Sequence, residues 1–353
     1  MTGYGPDVVI VDSGLAAGSA GLRDRLRRRL TNHGLQVQAM PLRADQRIQS
    51  LPGLTGARAL VVLDVEPDAD DIDALPELEV VAGVTDGTGL AIADQLAARE
   101  ILFIDGSRGY TQSRVELAVG LTIAGMRRIT MWHSAMLVGL AKWPNPSSHI
   151  VDSSRHLSGT VCGKNVAVVG LDPFGTAVAR AYAELGATLY AVDCVADDSV
   201  FGQIGAQRIS VEELTDRADI IVLAGGPGAP TLTAEIVDRI RYGAQVVTVA
   251  GVQRIDMPAL RRRACDGSLA WVTDSYDHVP VAAEDPILWQ PQVVHVPGIG
   301  GHTVEAADAV ADILADNISM VLSGEMPDPW DLLPHPLAGA DCTLGSVAEG
   351  AQR

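Results

Sequence analysis

An α/β protein built on parallel sheets is predicted by three features of the sequence. Short runs of Val, Ile and Leu alternate with longer stretches of helical period, as βαβ units require. The chain has 353 residues, enough for roughly two domains of about 150 residues, each with its own core. One stretch, KNVAVVGLDPFGTAVARAYAELGATLYAVD, reads as strand, glycine-bearing turn, helix, strand and closing acid.

The first half opens on the strand VVIVD (8–12), then a helix through Leu22–Asn32 and a strand around Gln36–Ala39. ALVVLDV (59–65) is a further strand, and Glu79–Gly83 and Ile101–Ile104 complete a small α/β set. Residues 113–129, SRVELAVGLTIAGMRRI, are apolar nearly all round and read as one long helix buried between domains. KWPNPSSHIVDSSRHLSG, rich in Pro and Ser, reads as an arm or loop, with Trp132, His133 and Trp143 fitting an interface. In the second half the strands are KNVAVVG, TLYAVD, ADIIVLAG (218–225), AQVVTVAG (244–251), LAWVTD (269–274) and QVVHVPG (292–298). A helix over Val304–Ser323 leads out, and the Pro- and Gly-rich tail after Gly324 is expected to be partly disordered.

With 44 acidic against 26 basic residues the formal charge is −18. That excess argues against a nucleic-acid partner and against an anionic membrane, both of which need Lys and Arg to meet phosphate. Arg27, Arg28 and Arg29 accordingly read as a solvated helix face. The four cysteines, Cys162, Cys194, Cys265 and Cys342, contain no CxxC pair, so reduced thiols are expected, with neither a zinc site nor a disulfide framework. The N-terminus carries no basic leader region, and no window approaches the roughly 18 apolar residues of a membrane span. A cytoplasmic protein with no membrane partner is expected.

The glycine turn carries a mechanism. Gly170 permits a tight turn, Gly175 lets strand and helix pack closely, and the helix N-terminus offers backbone N–H groups to a pyrophosphate. Asp193 stands 23 residues after Gly170, where a carboxylate can accept hydrogen bonds from a ribose diol; its charge favours NAD over NADP. Gly170, Asp172, Phe174, Gly175 and Asp193 are therefore the candidate cofactor-binding residues. The middle glycine is replaced by Asp172, where backbone normally approaches the pyrophosphate. Two negative charges about 4 Å apart repel by roughly 4 kcal/mol at an effective dielectric near 20, so the substitution weakens the expected NAD site.

At this point the chain resembles the D-isomer-specific 2-hydroxyacid dehydrogenase family, from about Leu75 to about Gly324. LPELEVVAGVTDGTG, RVELAVGLTIAGMRR, HLSGTVCGKNVAVVGLDPFG, ADIIVLAGG, RIRYGAQVVTVAG, TDSYDHVP and VVHVPGIGGHTVEA follow in the family's order and at nearly its spacing. The resemblance implies two Rossmann-like or flavodoxin-like domains. A dinucleotide-binding domain (113–304) would be inserted into a substrate domain (1–112 plus 305–353). It also implies a small-molecule ligand in the interdomain cleft and a homodimer joined through the inserted domain.

The family's catalytic residues do not carry over. Its carboxylate-clamping Arg falls at Gly251, its Glu before Pro at Val279, and its proton-exchanging His after Pro at Gly298. In the carboxylate loop Gly87 is kept while Gly89 and Leu90 replace Asp-Asn. General acid–base catalysis contributes about 10²–10⁴-fold, and Gly and Val cannot supply it. Candidate replacements are His302, four positions beyond Gly298, then His278 beside Asp277, and Arg254, with Tyr110 and Arg114 at the start of the long helix. Each also reads as an ordinary loop or surface residue, and His295 as a core or capping histidine. Two functions follow: a diverged oxidoreductase-fold enzyme with altered chemistry, or an inactive scaffold, regulatory subunit or nucleotide sensor.

Overall fold

The computed structural model describes residues 5–13, 17–43, 45–85, 91–139, 159–226 and 228–335. The chain divides into two compact units, Met1–Thr111 with Gly301–Ala338, and Gln112–Gly300. The breaks thus fall at Thr111/Gln112 and Gly300/Gly301, against the expected 112/113 and 304/305.

The first unit begins with five parallel strands, β1 (Val8–Asp12), β2 (Val37–Pro41), β3 (Ala59–Leu63), β4 (Val80–Gly83) and β5 (Leu102–Asp105), ordered β5-β4-β3-β1-β2. Every residue of β1, β3 and β4 is buried, which is why they read as unbroken apolar runs rather than alternating ones. Its helices over this stretch are α1 (Ala17–Asn32), α2 (Ala69–Asp73) and α3 (Ala93–Ala98).

Helix α4 (Thr111–Arg127) is followed by α5 (Ile129–Leu137). The helix expected over 113–129 thus runs from Thr111 to Arg127, and a second helix follows it. Arg128 adopts a left-handed conformation (φ 51°, ψ 41°) and donates its N–H to the Gly125 carbonyl at 3.2 Å, a tightened last turn that ends the α ladder. Trp132 and His133 lie on α5, while residues 140–158, including Trp143, fall outside the described residues.

The second unit then alternates β6 (Asn165–Val169), α6 (Pro173–Glu184), β7 (Thr188–Val192), α7 (Asp198–Ile204), β8 (Gln207–Arg208), α8 (Val211–Arg217), β9 (Ile220–Leu223), α9 (Ala234–Arg239), β10 (Gln245–Thr248), α10 (Met257–Cys265), β11 (Ala270–Thr273) and β12 (Val293–His295). All pairings are parallel, in the order β12-β11-β10-β9-β6-β7-β8. The order reverses between β6 and β9, and a crevice at the carboxyl ends of strands flanking such a switch point is where open α/β sheets bind ligands. Alternate residues of β6 feed opposite cores, Ala167 and Val169 one, Val166 and Val168 the other.

The first unit is completed by α11 (Val304–Leu322) and by β13 (Leu332–Leu333), which pairs antiparallel with β5. Arg25 pairs with Asp308 at 3.0 Å, Arg29 bonds Asp308 and Asp312, and His33 Nε2 lies 3.1 Å from Asp316, so polar contacts run along α1 and α11. Arg29 is thus not part of a solvated face, although Arg27 and Arg28 are exposed. The tail after Gly324 is described as far as residue 335. Asp331, fully buried, accepts from Arg108 Nε and Nη2 at 2.7 and 2.6 Å and from Asn317 Nδ2 at 2.8 Å. That buried carboxylate holds residues 328–333 against the sheet edge; residues 336–353 lie outside the described residues.

Among the described residues no helix is long and apolar enough to cross a membrane. Cys162 and Cys265 are free thiols, but Cys194 is disulfide-bonded. The expectation of four reduced thiols is corrected there, because sequence spacing does not report which distant Cβ atoms the fold brings within bridging range.

Candidate functional site

The candidate site is built around the turn from β6 into α6. Gly170 has φ +93°, and a Cβ on it would overlap the Gly225 carbonyl oxygen; a Cβ on Gly175 would overlap the carbonyl oxygen of Gly170 itself. Strand end, helix start and the loop after β9 therefore meet backbone to backbone, which only glycine allows. Phe174, expected at the cofactor, stands in the first turn of α6. Phe174 is 5% exposed and belongs to the same core cluster as Val166, Val168 and Val178, because the first turn of α6 faces the sheet.

The two acids of the motif are turned onto backbone amides. Asp172 is the N-cap of α6, its Oδ1 accepting from the Gly175 N–H at 2.6 Å. Burial pushes its carboxyl up to about 6, with the Gly175 N–H opposing, the Asp193 charge adding and the Arg114 charge opposing again. Asp193 is buried, and its Oδ2 accepts from the Leu171 N–H at 2.7 Å. Its Oδ1 accepts from the N–H groups of Val195 and Ala196 at 2.8 and 2.7 Å.

The loop after β9 closes around both acids. A Cβ on Gly226 would stand 2.7 Å from Asp172 Cβ, and one on Gly228 would overlap the Asp193 carboxylate. Arg254 reaches the same loop, its Nη2 donating to the Gly226 carbonyl at 3.3 Å.

The remaining candidates are dispersed. Gly251 has φ +112° and Gly298 φ +63°, conformations that side chains other than glycine adopt only at a cost. A Cβ on Gly251 would also overlap Gln253 Oε1. Val279 is 78% exposed. His278 is 92% exposed on its side chain, with Nε2 3.9 Å from Asp277 Oδ2, and Asp277 also lies 3.7 Å from Arg261 of α10. His302 is exposed in the first unit, just before the α11 cap Thr303. Tyr110, also in the first unit, packs its ring on Gly301; Arg114, in the second, lays its Cγ against Gly300. Residues 86–90, which include Gly87, Gly89 and Leu90, lie outside the described residues.

Sequence reasoning missed Asp274. It is buried at the end of β11, where Oδ2 accepts from the Gly300 N–H at 2.9 Å and Oδ1 from Ser275 Oγ at 2.6 Å. A lone acid closing an apolar strand, as in LAWVTD, was the available signal. His295 hydrogen-bonds Tyr276 through Nδ1 at 2.8 Å; burial lowers the imidazole and pushes the phenol up to about 12. Tyr276, with Val281 and Leu288, packs against the core cluster that includes Ala259, Leu260 and Ala264 of α10. Among the described residues no group of three His, Cys, Asp or Glu is placed to hold a metal ion.

Strand order and glycine turn together define a dinucleotide-binding α/β unit. Residues 119–300 match the family described as D-isomer specific 2-hydroxyacid dehydrogenase, NAD binding domain. The chain belongs to the D-isomer specific 2-hydroxyacid dehydrogenase family, and this unit is its NAD-binding domain. It is 28% identical over 303 residues to the D-3-phosphoglycerate dehydrogenase of Mycobacterium tuberculosis, covering 84% of this chain and 55% of that protein. The chain thus spans about half the length of that curated relative. It is 23% identical over 287 residues to the glyoxylate reductase of Korarchaeum cryptofilum, 76% of this chain and 81% of the relative. Among solved structures, a D-lactate dehydrogenase from Treponema pallidum matches with a TM-score of 0.70 at 20% identity, over 91% of this chain and 98% of that one. The NAD-complexed D-isomer specific 2-hydroxyacid dehydrogenase of Lactobacillus delbrueckii matches with 0.72 at 16%, over 92% and 99%. Both show the same fold.

The glycine skeleton fits a dinucleotide, since Gly170 and Gly175 open the backbone at the helix N-terminus. The acids fit it less well: Asp193 already accepts three N–H bonds, and Asp172 fills the helix N-terminus with its own charge.

Proposed function

We propose that this chain is an NAD(H)-binding member of the family that has lost ordinary 2-hydroxyacid oxidation, so that any chemistry it performs on a small-molecule ligand is altered. The observation carrying this reading is the backbone at two of the three positions where the resemblance places catalytic side chains. Gly251 and Gly298 have positive φ, so the chain there is shaped around glycine, and Val279 cannot titrate. A missing acid–base residue removes about 10²–10⁴-fold, and a missing clamp on a carboxylate removes charge-assisted bonds worth roughly 1.5–3 kcal/mol. In this reading Gly170 and Gly175 admit the diphosphate and Asp193 faces the ribose once its loop contacts open. NAD, when bound, would supply hydride transfer.

The inactive scaffold, regulatory subunit or nucleotide sensor is the second reading. It is favoured by the settings of the residues nominated to take over catalysis. The His278 imidazole stands in solvent, and Arg254 is spent on a backbone carbonyl, whereas acid–base residues are tuned by burial and charge. His302 and the cytoplasmic location stay as expectations of the same proposal. A homodimer through the inserted unit is part of it too, supported by Ile129, Met136 and Leu137 of α5, 50%, 56% and 75% exposed.

Calorimetric titration of the purified protein with NAD⁺ and NADH at pH 6 tests the reading. Saturable binding of either one is expected. Heats indistinguishable from dilution for both would remove the oxidoreductase reading and leave the scaffold.

A further inference from the structure

Asp172 occupies the place at which a dinucleotide's diphosphate meets the helix. Its carboxylate caps α6 through the Gly175 N–H at 2.6 Å, taking the N-terminal donor that would otherwise face an anion. Gly226 is pressed against its Cβ at 2.7 Å, measured from where a side chain on Gly226 would begin, and Gly225 stands 4.0 Å from its Oδ2 by the same measure. The Gly175 N–H thus holds the carboxylate at the helix start, beside the loop after β9.

We propose that Asp172 couples dinucleotide binding to proton uptake: the diphosphate binds only when Asp172 has taken one proton from solvent, and the neutral carboxyl then donates a hydrogen bond to a phosphate oxygen. This rests on the NAD(H)-binding reading above. Around the carboxyl, the end of β7 contributes the Asp193 charge and α4 contributes Arg114. α6 contributes backbone N–H groups, and the loop after β9 contributes backbone of Gly225 and Gly226, with Arg254 behind Gly226. The opposing charge of Arg114 is outweighed by burial and by Asp193, so the carboxyl is pushed up to about 6, above the ordinary carboxylate range. The sign follows. Below that pH the group is neutral and binding is unimpeded; above it each pH unit removes about nine-tenths of the protonated form, and Kd rises about tenfold per unit.

Calorimetric titration with NADH between pH 5 and pH 8, repeated at one pH in two buffers of different ionisation enthalpy, reads both the slope and the proton count. The wild-type chain is expected to weaken about tenfold per unit above pH 6 and to take up one proton. Asp172→Asn and Asp172→Ser both keep an N-cap oxygen, and melting curves establish that they are folded. Both are expected to bind at pH 8 at least tenfold more tightly than wild type, with a flat pH profile. A wild-type profile as flat as that of Asp172→Asn overturns the coupling while leaving NAD(H) binding intact. Absence of binding in all three proteins at every pH overturns both.

Discussion

Gly175→Ala is expected to lower the stability of the second unit by about 3 kcal/mol, the upper range of an overpacked core site, and to abolish NAD(H) binding with it. The added methyl overlaps the Gly170 carbonyl oxygen and lies 3.0 Å from Ala224 Cβ. Neither neighbour is the tip of a flexible side chain. Relief would therefore require β6 and α6 to separate, which uncovers Phe174 and Val178. Gly202 in α7 provides the control, because a Cβ there meets nothing within 4 Å. Gly202→Ala should gain about 0.5–1 kcal/mol from helix propensity. Thermal melts of the two variants should move in opposite directions, the first down by about 6–12 °C. A Gly175→Ala protein with wild-type melting and wild-type NADH affinity would mean that strand and helix are not in backbone contact.

Arg108→Ala is expected to cost the first unit about 3–5 kcal/mol, the penalty of stranding a buried charge. Asp331 is fully buried and would keep Asn317 as its one remaining side-chain donor among those described. Because the Arg108 side chain is itself 33% exposed, water can partly replace it, and the lower end of that range is the better expectation. The double variant Arg108→Leu, Asp331→Leu should lose less than the single one, since it leaves no charge behind. Limited proteolysis gives the matching readout: residues 328–333 should become cleavable in Arg108→Ala and stay protected in the double variant.

The sheets were legible because both are buried on two faces. Runs such as VVIVD and NVAVV have one plausible fate, and their order along the chain imposes the parallel crossovers. The glycine turn was legible for the same local reason, a strand, a bend and an amphipathic helix in succession. What escaped was set by contacts between segments distant in the chain. Nothing in MRRIT marks Arg128 as left-handed, since no Gly or Pro punctuates it. The position of Asp193 after the glycine turn is plain from spacing, whereas its hydrogen bond from the Leu171 N–H, 22 residues away, is not. Asp331 reads as one acid in a loop-like tail until Arg108, 223 residues earlier, is brought against it. The disulfide at Cys194 was invisible for the same reason.

The resemblance places the family's catalytic side chains at three positions of this chain. Gly251, Val279 and Gly298 are inert as letters. The positive φ at both glycines adds that an Arg or His restored there would meet backbone strain of about 1–3 kcal/mol before it could reach a substrate.

The most direct measurement follows NADH absorbance at saturating protein with D-lactate- and D-glycerate-like acids plus NAD⁺, and with the corresponding 2-oxoacids plus NADH. No turnover above the uncatalysed background is expected for any of them, at pH 6 where the dinucleotide should bind. Turnover near the usual enzymatic range of about 1–10³ s⁻¹ would contradict the proposed loss of the family's reaction and the placement of its Arg, Glu and His at Gly251, Val279 and Gly298.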